Sequence, residues 1–129
     1  MAKQYRILTL NSISGVGLKR FPTTRYVVGA NVESPDAILV RSHDMHAMEI
    51  GALVRAIGRA GAGVNNIPVA KMSKRGMPVF NAPGANANAV KELVIAGLLL
   101  AARNLVPALR FTSELEGDDK VLHQLVEDG

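Results

Sequence analysis

The chain has 129 residues, 48% of them hydrophobic but only 4% aromatic, with no cysteine and a formal net charge of +4. That length suits a domain of ordinary size with an aliphatic core, and the missing cysteines exclude a disulfide scaffold and any thiolate metal site. They also fit a reducing cytoplasm, which is where the protein is expected. The opening residues lead directly into a strand-like run, so no leader is expected there. Residues 5–10 (YRILTL) form the first expected strand, ended by Asn11 and Ser12. Residues 12–20 read as a short helix in which Ile13, Val16 and Leu18 face a core, broken by Pro22. Short strands follow at 26–28 and, after the Ser34-Pro35-Asp36 punctuation, at 37–40. Helical spacing of Met45, Met48, Ala52 and Leu53 predicts a helix over 45–56. A fourth strand is expected at 56–60. A helix over 69–75 is closed by Gly76, and a fifth strand covers 77–80.

Strands thus alternate with helix-sized connections, which argues for an α/β fold: a parallel sheet with helices on both faces. After Asn81 the character changes. Asn86 or Asn88 is placed to cap a helix over 89–105 that Pro107 stops. Leu93, Val94, Ile95, Leu98, Leu99 and Leu100 leave that helix apolar all round, so it needs cover on every side. Its longest apolar run, 93–102, is about half of the roughly 20 residues a membrane span requires, so no membrane partner is expected. A further helix over 118–127 is too small to cover it. The expected occupant is a missing domain or a second copy of the chain.

Three loops share the carboxyl edge of such a sheet, where open α/β folds bind ligands. They are Arg41-Ser42, Gly61-Ala62-Gly63-Val64-Asn65-Asn66, and Asn81-Ala82-Pro83-Gly84-Ala85-Asn86. Arg41 and Arg59 bring guanidinium forks suited to carboxylate or phosphate, Ser42 adds a hydroxyl, and Gly61 and Gly63 let backbone N–H groups approach a ligand. One such loop alone reads more simply as a turn, with its arginines in structural ion pairs; three on one edge favour an anion site. Charge points the same way: residues 1–90 carry eleven Lys/Arg and four Asp/Glu, a balance of +7, whereas residues 91–129 carry four and seven, a balance of −3. A basic front portion suits an anionic small molecule, and on charge alone scattered surface lysines and arginines account for it equally well. No basic run or aromatic platform accompanies it, so a nucleic-acid partner is not expected.

The segments PDAILVRS, IGRAGAGVNNI and VFNAPGANANAVKELVIAGLLLAARNL resemble the D-2-hydroxyacid dehydrogenases, a resemblance that covers about residues 5–110 in one order. The resemblance implies a flavodoxin-like substrate domain with an inserted Rossmann domain that binds NAD. Residues 1–84 would belong to the substrate domain, and residues 85–129 would supply the crossover helix and the start of the nucleotide domain, contributing to a homodimer through the 89–105 helix. It implies substrate roles for Arg41, Ser42 and Arg59 toward a phosphate or carboxylate. Ala62 and Gly63 would hold the substrate carboxylate with backbone N–H groups, Asn86 would lie by the cleft, and Ala62 and Glu92 would lie on the cofactor side. The basic front portion tilts the expected substrate toward a phosphorylated hydroxyacid. Two positions depart from the family pattern: Asn65 stands where G-V-D-N has its aspartate, and Lys91 stands within the V-A-E segment.

No G-x-G-x-x-G turn occurs between a strand and a helix; Gly15 and Gly17 form only a bare G-x-G. The family's catalytic arginine, glutamate and histidine match no residue of this chain, so no catalytic residue is assigned. His43 and His46 read as surface histidines rather than a metal pair, and so does His123. Two other readings stay open: a dehydrogenase portion acting on another 2-hydroxyacid, or a free-standing flavodoxin-like binding module without catalysis.

Overall fold

A computed structural model describes residues 3–128. The chain divides into two compact units, Met1–Asn86 and Ala87–Gly129. In the first, strands β1 (Tyr5–Leu10), β2 (Tyr26–Gly29), β3 (Ala37–Val40), β4 (Ala56–Arg59) and β5 (Val79–Phe80) build one sheet in the order β2-β1-β3-β4-β5. Every pairing is parallel. This 2-1-3-4-5 order is flavodoxin-like, with its topological switch between β1 and β3.

The register explains the core. Leu8, Ile38, Ile57 and Val79 lie in one row across four strands, and Leu10, Val40 and Arg59 lie in the next row toward the carboxyl edge. On the apolar part of these rows pack Met45, Ile50, Val54, Ile67, Met72 and Met77, all buried. Unbranched methionines fill the irregular space between sheet and loops that aromatic side chains fill elsewhere. On the other face Gly58 lies under Leu39: a Cβ there would stand 2.9 Å from Leu39 Cδ2.

Helix α1 (Gly15–Leu18) is a single turn, shorter than expected, and Val16 points to solvent at 78% exposure rather than into a core. Two glycines in so short a segment leave little side-chain surface to anchor more. The expected helix over 45–56 is absent. Met45, Ile50 and Val54 are buried while Leu53 is 64% exposed, and the segment's carbonyls are taken from a distance: the Arg75 guanidinium donates to Ile50 O at 2.9 Å and to Gly51 O at 3.0 Å. At its start the Asp44 carboxylate accepts the His46 N–H at 2.9 Å, an Asx turn that no helix continues.

Helix α2 (Val69–Lys74) ends as its glycine predicts. Gly76 has φ +67, its N–H donates to Ser73 O at 2.9 Å, and Met77 N–H donates to Met72 O at 3.0 Å. This is a Schellman closure, and Met72 and Met77 bury the apolar contact that accompanies it. Because Met77 N–H is spent there and Pro78 has none, β5 begins at Val79 rather than at 77.

In the second unit, α3 (Ala87–Ala102) stops earlier than expected. Asn104 turns left-handed, at φ 52, and α4 (Leu105–Ser113) begins at once, with Pro107 in its first turn, where a missing N–H costs nothing. Pro107 therefore starts a helix instead of stopping one. Asn88 lies inside α3, not at its cap, and donates to Glu92 Oε1 at 2.7 Å. Helix α5 (Asp119–Asp128) is capped by Asp118, whose Oδ1 accepts from Lys120 N–H and Val121 N–H at 3.1 Å each. α3 buries none of its residues, and Leu93 and Leu98 stand 75% and 66% exposed. Among the described residues, no single helix is long and apolar enough to cross a membrane.

Candidate functional site

The loops after β1, β3, β4 and β5 meet at the carboxyl edge of the sheet, and asparagines join them. Asn11, just past β1 and left-handed at φ 63, accepts from Ser42 N–H at 3.1 Å and His43 N–H at 2.6 Å through one Oδ1. Asn66, in the β4 loop and buried, donates through Nδ2 to His43 O at 2.7 Å, while Met45 N–H donates to Asn66 O at 2.9 Å. Asn81, just past β5, donates to Ala62 O at 2.6 Å, and Ala82 N–H donates to Gly61 O at 2.9 Å. Each loop is thus tied to its neighbour by an asparagine, and Asn11 makes its tie across the switch point between β1 and β3.

Between these loops lies an open cleft of about 630 Å³, lined by Arg41, Ser42, Arg59, residues 60–63, Ala82, Ala85 and Asn86. The expected substrate residues Arg41, Ser42, Arg59, Ala62, Gly63 and Asn86 therefore share one cleft, all within the first unit. Glu92 belongs to the second unit, where its carboxylate takes the Asn88 amide.

Among the described residues neither Arg41 nor Arg59 meets a carboxylate; the sole ion pair joins His46 to Asp44 at 2.6 Å. Arg41 is exposed, with an unbonded guanidinium. Arg59 is half-buried and donates through Nε to Arg41 O at 3.1 Å and through Nη1 to Gly63 O. Gly61 and Gly63 lie against the Arg59 guanidinium: a Cβ on either would stand 3.1 and 3.2 Å from its Nη1, and one on Gly63 would also stand 3.2 Å from Asn65 Oδ1. Neither has a positive φ. The space they leave is filled by an arginine of the chain itself. Among the described residues no partner takes the amides of Ala62 and Gly63, whereas Gly61 N–H is bonded to Arg59 O at 2.9 Å.

Asp44 stands just beyond Ser42 and His43. The His46 backbone N–H, and next its ring, hold this carboxyl below the ordinary aspartate value of 3.8. His46 is thereby tied to a carboxylate, and no group of three metal-ligating side chains occurs among the described residues. Sequence reasoning missed Asn11 as a clamp and did not single out Asn66 within its loop. A usable signal was present: an asparagine directly follows β1 and β5, where its side chain reaches a neighbouring loop and its backbone tolerates a left-handed turn.

A flavodoxin-like sheet whose carboxyl edge gathers guanidinium groups, unbonded amides and glycine-containing loops has these groups where open α/β folds bind ligands. Residues 7–127 match the model of the D-isomer specific 2-hydroxyacid dehydrogenase catalytic domain, and the chain belongs to that family. Relatives include a D-3-phosphoglycerate dehydrogenase of Archaeoglobus fulgidus, 40% identical over 61% of this chain and 16% of its own length. A second, from Methanocaldococcus jannaschii, is 36% identical over 69% of this chain and 18% of its own. A hydroxypyruvate reductase of Thermotoga maritima is 36% identical over 67% of this chain and 29% of its own. The chain therefore spans less than a third of the length of these relatives.

Proposed function

We propose that the chain is the N-terminal, substrate-binding portion of an NAD-dependent D-3-phosphoglycerate dehydrogenase, inactive by itself. The intact enzyme would oxidise 3-phospho-D-glycerate to 3-phosphooxypyruvate, the reaction that opens serine biosynthesis. The observation that carries this reading is the cleft in which Arg41 and Arg59 face no carboxylate while the Ala62 and Gly63 amides stand free. Those amides suit a carboxylate, and the guanidinium charge suits a phosphate.

NAD would accept the hydride in the intact enzyme. The residues that the resemblance assigns to its side are Ala62 and Glu92. No glycine fingerprint occurs among the 129 residues to hold a dinucleotide, so this chain's own part is to bind and orient the hydroxyacid. The apolar helix α3 favours a homodimer, since exposed apolar surface of this extent marks an interface.

The hydroxypyruvate reductase relative supports a second reading, in which the substrate is a 2-hydroxyacid without phosphate. One pair of titrations separates them. The chain is titrated with 3-phospho-D-glycerate and with D-glycerate while backbone amide shifts are followed. Binding of the first, at least about tenfold tighter than the second, supports the phosphorylated substrate, a factor equal to roughly 1.4 kcal/mol. Equal affinities overturn it in favour of the second reading. Reduction of NAD by the chain alone with either hydroxyacid would overturn the assignment of the catalytic residues elsewhere.

A further inference from the structure

The geometry points to different tasks for the two arginines of the cleft: Arg59 is a positioning residue that staples the β3 loop to the β4 loop, and Arg41 is the side chain that meets the anion. The second half rests on the reading of the cleft proposed above. The first half stands on geometry alone.

Arg59 ends β4 in the same register row as Val40, so its side chain starts from the core face of the sheet, at the floor of the cleft. From there Nε donates to the carbonyl of Arg41 at 3.1 Å, and Nη1 donates to the carbonyl of Gly63. One planar fork thus spans two loops. A lysine has a single ammonium at the end of a flexible stem and cannot hold both carbonyls in that geometry.

The glycines complete the argument. Gly61 and Gly63 need no left-handed backbone, and a methyl on either would crowd the guanidinium at 3.1 and 3.2 Å. The G-x-G turn thus leaves the room that the guanidinium occupies, with the Asn65 Oδ1 equally close to Gly63, at 3.2 Å from a Cβ placed there. The Asn66 amide reaches toward the same Arg41 carbonyl at 3.5 Å, and Asn11 holds the next two amides. The backbone at 41–43 is therefore gripped from three sides, while the Arg41 guanidinium has no partner. Residue 41 supplies a fixed carbonyl to the staple and a free fork to the cleft.

The test uses the whole chain labelled with 15N, following arginine Nε–H and backbone amide signals, with inorganic phosphate and 3-phospho-D-glycerate as probes. In the free chain the Arg59 Nε–H is expected to exchange slowly and the Arg41 Nε–H rapidly. Phosphate should shift Arg41 in a saturable way and leave Arg59 in place. Arg41→Met should weaken phosphate binding at least about tenfold, the loss of one charge-assisted contact, and Arg41→Lys should recover most of it. Arg59→Lys should not rescue Arg59→Met: both should weaken binding alike, and both should move the amides of residues 41–43 and 61–63 with no ligand present. An Arg59→Lys chain with unmoved loop amides overturns the staple. Wild-type affinity in that variant, or an Arg59 signal that titrates together with Arg41, makes Arg59 a ligand and overturns the assignment. Should Arg59→Lys fail to fold, the wild-type exchange rates decide: rapid exchange of the Arg59 Nε–H refutes the staple. If neither probe binds the wild-type chain, the functional reading and the role given to Arg41 fail, while the staple is still judged from the ligand-free shifts.

Discussion

Asn11 offers the sharpest separation of side chain from backbone at the switch point. Its Oδ1 accepts two N–H groups, from Ser42 at 3.1 Å and His43 at 2.6 Å, and its φ of 63 is one that most residues resist. Each hydrogen bond contributes about 0.5–1.5 kcal/mol net. Both amides lie near solvent, and water can replace a lost partner, so the lower part of that range applies. Asn11→Gly removes the acceptor and relaxes the backbone, and should cost about 1–2 kcal/mol. Asn11→Ala removes the acceptor and adds the left-handed strain of a Cβ, about 1 kcal/mol more, for a total of about 2–3 kcal/mol. Asn11→Asp keeps an acceptor at the same place and should stay within about 0.5 kcal/mol of the wild type. Urea unfolding of the chain measures all three, and hydrogen exchange at Ser42 and His43 localises the effect. Those two amides should exchange faster in the Ala and Gly variants and at the wild-type rate in the Asp variant. The reasoning is refuted if Asn11→Asp destabilises as much as Asn11→Ala, since the acceptor would then be irrelevant.

Other outcomes follow from the same contacts. Asp44 should titrate below 3.8 in a carbon-detected carboxylate titration; a depressed carboxyl adds stability above its unfolded value that is lost as pH falls through the folded one. His46→Ala should return it only part of the way, because the residue-46 backbone N–H, the larger cause, remains; a full return would contradict the order of causes. Gly76→Ala should cost about 1–2 kcal/mol in thermal or urea unfolding although nothing lies within 4 Å of the new Cβ, and Gly76→Asn should cost less; equal losses would argue against left-handed strain as the cause. Ile57→Ala, at a residue with no exposure, should cost about 2–5 kcal/mol. The chain should sediment as a dimer or larger at tens of micromolar, and Leu98→Glu on α3 should shift it toward monomer; a monodisperse wild-type monomer would sink the helix-mediated dimer.

The strands were readable because each is a short aliphatic run ended by Asn, Ser or Gly, and their parallel pairing followed from helix-sized connections. That reasoning also put the three loops of the cleft on one edge. Residues 45–56 misled because Met45 and Met48 fit a helical spacing, while the carbonyls that would close the helix are claimed by Arg75, some 25 positions along the chain. Local pattern does not register a competitor that distant. Pro107 misled for a related reason: a proline is a stop inside a helix and a start in its first turn, and the left-handed Asn104 decides which. The roles within the cleft were hidden more deeply. That Gly61 and Gly63 make room for Arg59 depends on where one long side chain folds back, and residue type and spacing do not fix that direction.

The cleft also shows why two uncompensated guanidinium groups can coexist before a substrate arrives. A half-buried charge without a partner is costly. Arg59 avoids that cost by donating to two carbonyls, which satisfy its hydrogen bonds but leave its charge unneutralised. Arg41 avoids it by standing in water. On the function proposed above, an anion entering the cleft would gain Arg41 directly, the free amides of Ala62 and Gly63, and the residual field of Arg59, without first breaking an ion pair. A neutral ligand of the same shape gains little of this. Preference for a doubly anionic hydroxyacid would then arise from donors that the fold has left unspent, with the three asparagine clamps keeping them so.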